Sequence, residues 1–203
     1  MARYYREFFS NPMIAFMVGL GCVTLILTAI FPQGWMTLVY LLLGMGVYAV
    51  FEYLVHRFLL HEFPKLAPAM YRGHVEHHKH PNELEHLFSP LRYDAAAYGV
   101  YFVVLWAIAR DWRTVVAIVA GTSLFQLYYQ WMHYIAHRPI TPVTPWGKWM
   151  RKKHLLHHFM DEGAWYGVSH PVLDYMLQTH KPESKKKAGL PLRPNGGADV
   201  DPH

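Results

Sequence analysis

The feature that most constrains this chain is the alternation of long apolar segments with tight histidine clusters. Residues 12–31 and 34–55 contain a single charged residue, Glu52. A helix of about 20 apolar residues spans the roughly 30 Å hydrocarbon core of a bilayer. Two further apolar segments cover residues 95–109 and 113–132. We therefore predict an all-α integral membrane protein with four transmembrane helices.

The linkers FPQG and RDWR are short, so the four helices are predicted to form two hairpins. Lysine and arginine are concentrated at the N-terminus, in residues 56–94 and after residue 132, the segments that four crossings leave on one side. The positive-inside rule places that side in the cytoplasm, together with both termini. Residues 56–94 and 133–180 are then predicted to form a cytosolic helical cap. Residues 1–180 form the membrane domain, and 181–203, rich in Pro, Gly and charge, a disordered tail.

Charge and cysteine content exclude several classes of protein. Basic residues beside membrane helices attract anionic headgroups, which accounts for the net charge of +5 without nucleic-acid binding. The single cysteine, Cys22, lies within a predicted membrane helix and provides neither a disulfide framework nor a thiolate metal site. The first apolar segment is longer than the core of a signal peptide, so we expect no cleavage.

Ten of the fifteen histidines fall into four clusters, HRFLLH, HVEHH, HYIAH and HLLHH. Each half of the chain has a pair followed by an HxxHH triplet. Neutral imidazole is the commonest nitrogen ligand for zinc, iron and copper. The clusters therefore predict a site for two metal ions with about five ligands each. The candidate ligands are His56, His61, His74, His77, His78, His133, His137, His154, His157 and His158.

Helix geometry brings most of these side chains together. Positions i, i+3 and i+4 share a face, so each HxxHH triplet is expected to converge, and His133 and His137 lie one turn apart. His56 and His61 differ, because five residues rotate an α-helix by about 500°. Both point inward only if the helix ends or bulges between them, and π-bulges recur at functional sites.

Five other residues are candidates to orient a ligand or a water molecule from behind: Glu52, His80, His86, His170 and Asp174. A carboxylate near the end of a membrane helix is costly and usually functional or paired. We expect Glu52 to accept an N–H from a ligand histidine, with an ion pair to Arg57 or Arg92 as the alternative. The three histidines would equally serve as hydrogen-bonded loop residues.

At these clusters the chain resembles the fatty acid hydroxylase/sterol desaturase superfamily, and most closely its fatty acid 2-hydroxylases. The resemblance covers roughly residues 50–178 and lies in EYLVHRFLLH, GHVEHHKHPNELEHLFSP, HYIAH and KHLLHHFMDEGAWYGVSHPVLD. It implies that the ten histidines hold two non-haem iron ions, which use O2 to hydroxylate a fatty acyl chain beside its carbonyl. It further implies a lipid or fatty acyl substrate and a cytochrome b5 or ferredoxin type electron donor.

Many eukaryotic members of that superfamily carry a fused cytochrome b5 domain. Here about ten residues precede the first apolar segment, so we expect a separate donor, as in short bacterial members, and a location in a bacterial inner membrane. Zinc generally binds nitrogen ligands more tightly than ferrous iron. We therefore expect overexpressed protein that is purified aerobically to contain zinc.

Three alternatives remain open from the sequence. The first is a carotenoid or sterol-type oxidase of the same superfamily. The second is a hydrolase or isomerase that uses two metal ions as Lewis acids without O2. The third is a metal-transport or storage protein, which would place ligands along the membrane spans, whereas these histidines lie at the cytoplasmic ends.

Overall fold

The computed structural model describes residues 1–182, and every regular element in that part of the chain is helical. The predicted all-α class is confirmed for these residues, and the predicted disordered tail lies outside them beyond Pro182. Helix α3 continues directly into a π-helical segment. The elements are α1 Ala2–Phe9, α2 Pro12–Ile30, α3 Met36–Leu54, the π segment Val55–Glu62, α4 Pro68–Lys79, α5 Leu84–Leu87, α6 Leu91–Ala109, α7 Trp112–Ala136, α8 Pro145–Phe159 and α9 Val172–Met176.

Local sequence signals set several helix starts. Asn11 and Thr144 each precede a proline at the first helical position, and their side chains accept hydrogen bonds from backbone N–H groups of α2 and α8. Asp111 caps α7 by accepting from the N–H of Arg113. These caps satisfy first-turn N–H groups that have no partner within the helix.

Both short linkers lie at the same end of the helix bundle. Gly34 in the first linker and Arg110 in the second adopt left-handed backbone conformations, with φ of 62° and 52°. Gln33 Nε2 donates a hydrogen bond of 2.7 Å to Asp111 Oδ2, which joins one linker to the other. Helices α2–α3 and α6–α7 therefore form two hairpins whose tips meet.

Helix α7 packs against both α2 and α3, and its contact with α3 is a close backbone approach. A Cβ atom on Gly44 would lie 2.0 Å from the carbonyl oxygen of Ile118, and one on Gly121 would lie 2.0 Å from that of Leu41. Glycine at both positions lets the two helices touch without an intervening side chain. A Cβ atom on Gly46, half a turn further along α3, would have no other atom within 4 Å.

Two helices in the described part of the chain are long and apolar enough to cross a membrane, Pro12–Ile30 and the continuous helix Met36–Glu62. Helices α6 and α7, which are also predicted to cross the membrane, are not apolar enough over their length to be counted with them. Helix α6 begins with Arg92 and Asp94 in its first turn, and α7 carries polar residues such as Gln126 in its second half. The crossing by four helices therefore stays a prediction.

The sequence pattern did not predict α1, which anchors the start of the chain beside the HYIAH cluster. Arg138 Nε donates to Glu7 Oε1 at 2.5 Å, and the Tyr134 hydroxyl donates to the same oxygen at 2.9 Å. Phe8 is buried in the main hydrophobic core. Helix α1 thus packs against the C-terminal end of α7, which carries the ligand candidate His133.

Candidate metal centre

The ten predicted histidines lie in two groups of five, and in each group the ligand nitrogens, one from each ring, are within 4.8 Å of one another. We call them the outer group and the inner group, after their exposure. The outer group is His56, His61, His74, His78 and His157, and the inner group is His77, His133, His137, His154 and His158. This arrangement fits the prediction of two ions with about five ligands each.

The π segment explains how both members of the first pair reach the outer group. Hydrogen bonds in a π-helix join residues five apart, so His56 and His61 lie above one another rather than on different faces. Their ring centroids are 5.1 Å apart. The spacing left open whether the helix ends or bulges between His56 and His61. The structure shows a π-helical bulge that extends over 8 residues.

Each HxxHH triplet is divided between the groups, contrary to the expectation that it converges as a unit. In α4 the i and i+4 members, His74 and His78, join the outer group, whereas His77 joins the inner group. In α8 the assignment is reversed, and only His157 joins the outer group. Adjacent residues on a helix point about 100° apart. A triplet that lies between the two groups therefore contributes histidines to both.

The distances between ring nitrogens fit metal coordination. Six pairs of Nε2 atoms are 2.8–3.2 Å apart. With metal–nitrogen bonds of about 2.0–2.1 Å, ligands at right angles are about 2.9 Å apart and tetrahedral ligands about 3.3 Å. His74 Nε2 lies within 3.2 Å of three other Nε2 atoms. A ring nitrogen carries at most one hydrogen, so hydrogen bonds alone do not account for this convergence.

Burial keeps the rings in the form that binds metal. Together with neighbouring charges, of which the largest comes from His137 for His77 and from His78 for His137, it lowers the pKa of His77 to about 2 and that of His137 to about 3. Burial also lowers the pKa of His78 to about 4. These rings are therefore neutral at physiological pH and offer free lone pairs.

The two groups differ in their access to solvent. All five inner histidines are buried, whereas His61, His74 and His78 of the outer group are partly exposed. These three line a pocket of about 290 Å³. The other walls of the pocket are Leu60, Tyr71, Val75, Lys79 and Glu162. A small molecule in this pocket meets the outer group and not the inner one.

The loop between α8 and α9 orients two rings of the outer group. His157 Nδ1 donates to the Ala164 carbonyl at 2.8 Å, and His56 Nδ1 donates to the Tyr166 carbonyl at 2.6 Å. A carbonyl only accepts, so Nδ1 carries the hydrogen and the Nε2 lone pair is free for a metal. Among the described residues, His157 Nε2 is indeed buried without a hydrogen-bond partner. Sequence reasoning missed these acceptors because backbone carbonyls have no residue signature.

The role predicted for Glu52 was wrong. Its carboxylate accepts hydrogen bonds from Ser169 and from the N–H of Val168, not from a ligand histidine. The ion-pair alternative does not hold either, because Arg57 pairs with Glu62 at 2.7 Å and Arg92 lies over Tyr93. The reason is that His56, one turn further along the helix, donates to a backbone carbonyl of the same loop, that of Tyr166.

The other four candidates also lie outside the two groups. Asp174 binds backbone N–H groups of the same loop, and His170 Nε2 donates to the Ala49 carbonyl at 2.9 Å. His80 and His86 lie on either side of Glu83, at 3.6 and 3.7 Å. Of these three histidines, only His170 matches the interpretation as a hydrogen-bonded loop residue, because His80 and His86 lie beyond hydrogen-bond distance of Glu83 and His86 belongs to α5.

Comparison with known families matches residues 41–179 to the family described as fatty acid hydroxylase. A dihydroceramide fatty acyl 2-hydroxylase of Arabidopsis thaliana is 32% identical over 145 residues, which are 68% of this chain and 58% of that protein. The fatty acid 2-hydroxylase of Homo sapiens is 27% identical over 147 residues, 70% of this chain and 39% of that protein. The chain thus spans about half the length of these relatives.

A solved structure has the same fold. Full-length scs7p, of which only the hydroxylase domain is visible, superposes with a TM-score of 0.67 and 20% sequence identity. The match covers 83% of this chain and 64% of that one. The arrangement of helices described above is therefore shared with a hydroxylase domain.

Proposed function

Since the chain belongs to the fatty acid hydroxylase family, we propose that it hydroxylates a fatty acyl chain at the 2-position, the carbon beside the acyl carbonyl. The predicted resemblance to this family and to its 2-hydroxylases is confirmed. Relatives that are named as fatty acid or dihydroceramide 2-hydroxylases support the proposed position on the chain. The observation that carries the proposal is the convergence of ten neutral imidazoles into two groups of five.

We infer that each group holds one non-haem iron ion. Imidazole suits iron, and no carboxylate is among the ten converging ligands, so the protein supplies an all-nitrogen environment. When bound, such a pair supplies the activation of O2 with electrons from a separate cytochrome b5 or ferredoxin type donor. The chain's own contribution is to hold the Nε2 atoms in place, to exclude water from the inner group and to leave the outer group open.

The substrate is proposed to reach the outer group through the pocket beside His61, His74 and His78. The pocket lies where the membrane helix Met36–Glu62 ends, which suits an acyl chain whose body stays in the bilayer while its carbonyl end reaches the metal. We propose the location predicted from the loops, with the site and both termini on the cytoplasmic side of a bacterial inner membrane.

The test is a comparison of lipids in a host that lacks hydroxylated acyl chains. Expression of the intact chain, with a donor supplied, is expected to yield acyl species with one added oxygen, located at the 2-position by fragmentation. The His77→Ala, His157→Ala variant removes one ligand from each group and should yield none. Product from that variant would contradict the metal site. An oxidised carotenoid or sterol, formed when these are supplied and in place of an acyl product, would favour the other oxidase reading.

Zinc should bind this site and leave it inactive. Hydroxylation needs a metal that changes oxidation state, and zinc has no such chemistry. We expect zinc-loaded protein to consume no O2 and iron-reconstituted protein to consume it in proportion to acyl product, measured with an oxygen electrode and mass spectrometry on samples of known metal content. Full turnover by zinc-loaded, iron-free protein would favour a Lewis-acid mechanism instead.

A further inference from the structure

Two buried carboxylates hold the loop that orients the outer group. From the membrane helix, Glu52 Oε1 accepts from the N–H groups of Val168 at 3.2 Å and Ser169 at 3.0 Å. Its second oxygen, Oε2, accepts from the Ser169 hydroxyl at 2.5 Å. Glu52 is only 4% exposed, so these bonds form away from water. They tie the loop to the end of α3.

Asp174, at the start of α9, binds the same loop. Its Oδ1 accepts from the N–H of Tyr166 at 2.9 Å and from the Thr179 hydroxyl at 2.7 Å. Its Oδ2 accepts from the N–H of Gly167 at 2.9 Å. Asp174 is 2% exposed. Four consecutive backbone N–H groups are therefore held by two side chains whose hydrogen bonds, in the described part of the chain, go to this loop and to Thr179.

We propose that Glu52 and Asp174 are positioning residues for the metal in the outer group. They fix the loop whose carbonyls, at Ala164 and Tyr166, set the hydrogen and the direction of His157 and His56. The inference rests on the proposed metal site and extends it to residues outside the ligand set.

The inner group is expected to depend less on this loop. Its rings His77, His154 and His158 have buried Nδ1 atoms without a hydrogen-bond partner in the described part of the chain. Their directions are set by the packing of the helices that carry them. Loosening the loop is therefore expected to weaken one metal ion and spare the other.

The two carboxylates respond differently to the isosteric amide. In Glu52→Gln the amide oxygen replaces Oε1 and keeps both backbone bonds, while the amide NH2 donates to the Ser169 hydroxyl oxygen. In Asp174→Asn the case differs, because each of the two carboxyl oxygens accepts from a backbone N–H. The NH2 group that replaces one of them cannot accept, so at least one buried N–H loses its partner. Both changes replace a carboxyl group by an amide of the same shape, and only the second breaks the hold on the loop.

The experiment compares metal content in purified full-length protein. Wild type and Glu52→Gln are expected to bind two ions per chain, whereas Asp174→Asn keeps one and binds the second about tenfold more weakly or worse. Metal is measured by mass spectrometry after dialysis, and Co²⁺ titration follows the visible spectrum of each ion separately. Asp94→Asn is the matched control, because that carboxylate accepts from the side chains of Ser89 and Gln126, away from both groups.

A second variant keeps the test sharp if Asp174→Asn folds poorly. Glu52→Leu suits a membrane helix but lacks any acceptor, and it should lose the same single ion with helical content unchanged. Wild-type affinity for both ions in Asp174→Asn or Glu52→Leu would overturn the inference, as would equal loss in Glu52→Gln. Loss of both ions would show a general folding role. Wild type without bound metal would instead contradict the proposed function and everything built on it.

Discussion

Replacing two ligands of one group by alanine is expected to leave one metal ion per chain and no hydroxylation. His61→Ala, His74→Ala removes two of the five outer nitrogens, including the one that lies within 3.2 Å of three others. His133→Ala, His154→Ala does the same to the inner group. Because the proposed reaction needs both ions, acyl product should fall to background in either variant, measured by lipid mass spectrometry alongside metal content.

The two double variants should differ in stability. The inner rings are buried, so alanine leaves cavities there and lowers the free energy of unfolding by about 2 kcal/mol or more. His61 and His74 border an open pocket, and their loss should cost less. The control is His80→Ala, His86→Ala, which changes two histidines beside Glu83 and should keep both ions and full activity. Two tightly bound ions in either ligand variant would contradict the assignment.

The convergence of the ten histidines was predictable because it depends on the spacing of side chains along helices. Imidazoles at helical spacing point to a shared face, and the five-residue spacing of His56 and His61 demanded a change in helix geometry that the structure contains. Local periodicity carries this information without any knowledge of tertiary contacts. The same reasoning gave the starts of α2 and α7 close to their observed positions.

The division of the triplets was not predictable from the same pattern. Which ring of α4 or α8 faces which group depends on how those helices lie between the ends of α3 and α7, and no local rule fixes that packing. Glu52 shows the second limit. A buried carboxylate one turn from a ligand histidine suggested a direct bond, yet backbone N–H groups of a loop more than a hundred residues away bind it. Every residue type has nearly the same backbone donors and acceptors, so their part in a site cannot be predicted from residue identity.

Adding one carbon atom at Gly121 is expected to destabilise the whole domain. In Gly121→Ala the new Cβ would lie 2.0 Å from the Leu41 carbonyl oxygen. That clash is between two helix backbones, so no flexible side chain can move away, and α3 and α7 must separate. Overpacking of this kind costs about 1–3 kcal/mol, and backbone contacts belong at the upper end. Separation also moves the π segment after α3, which carries His56, away from the end of α7, which carries His133.

The measurement is the thermal unfolding midpoint in detergent, followed by helical content, together with bound metal. Gly121→Ala and Gly44→Ala should both lower the midpoint and reduce both ions, since the close contact holds the helices that lead to both groups. Gly46→Ala is the matched control on α3. Its Cβ meets open space, so alanine should be neutral or stabilise the helix by up to about 1 kcal/mol. Equal midpoints for the three variants would mean that the α3–α7 contact yields without cost, and that the two histidine groups do not depend on it.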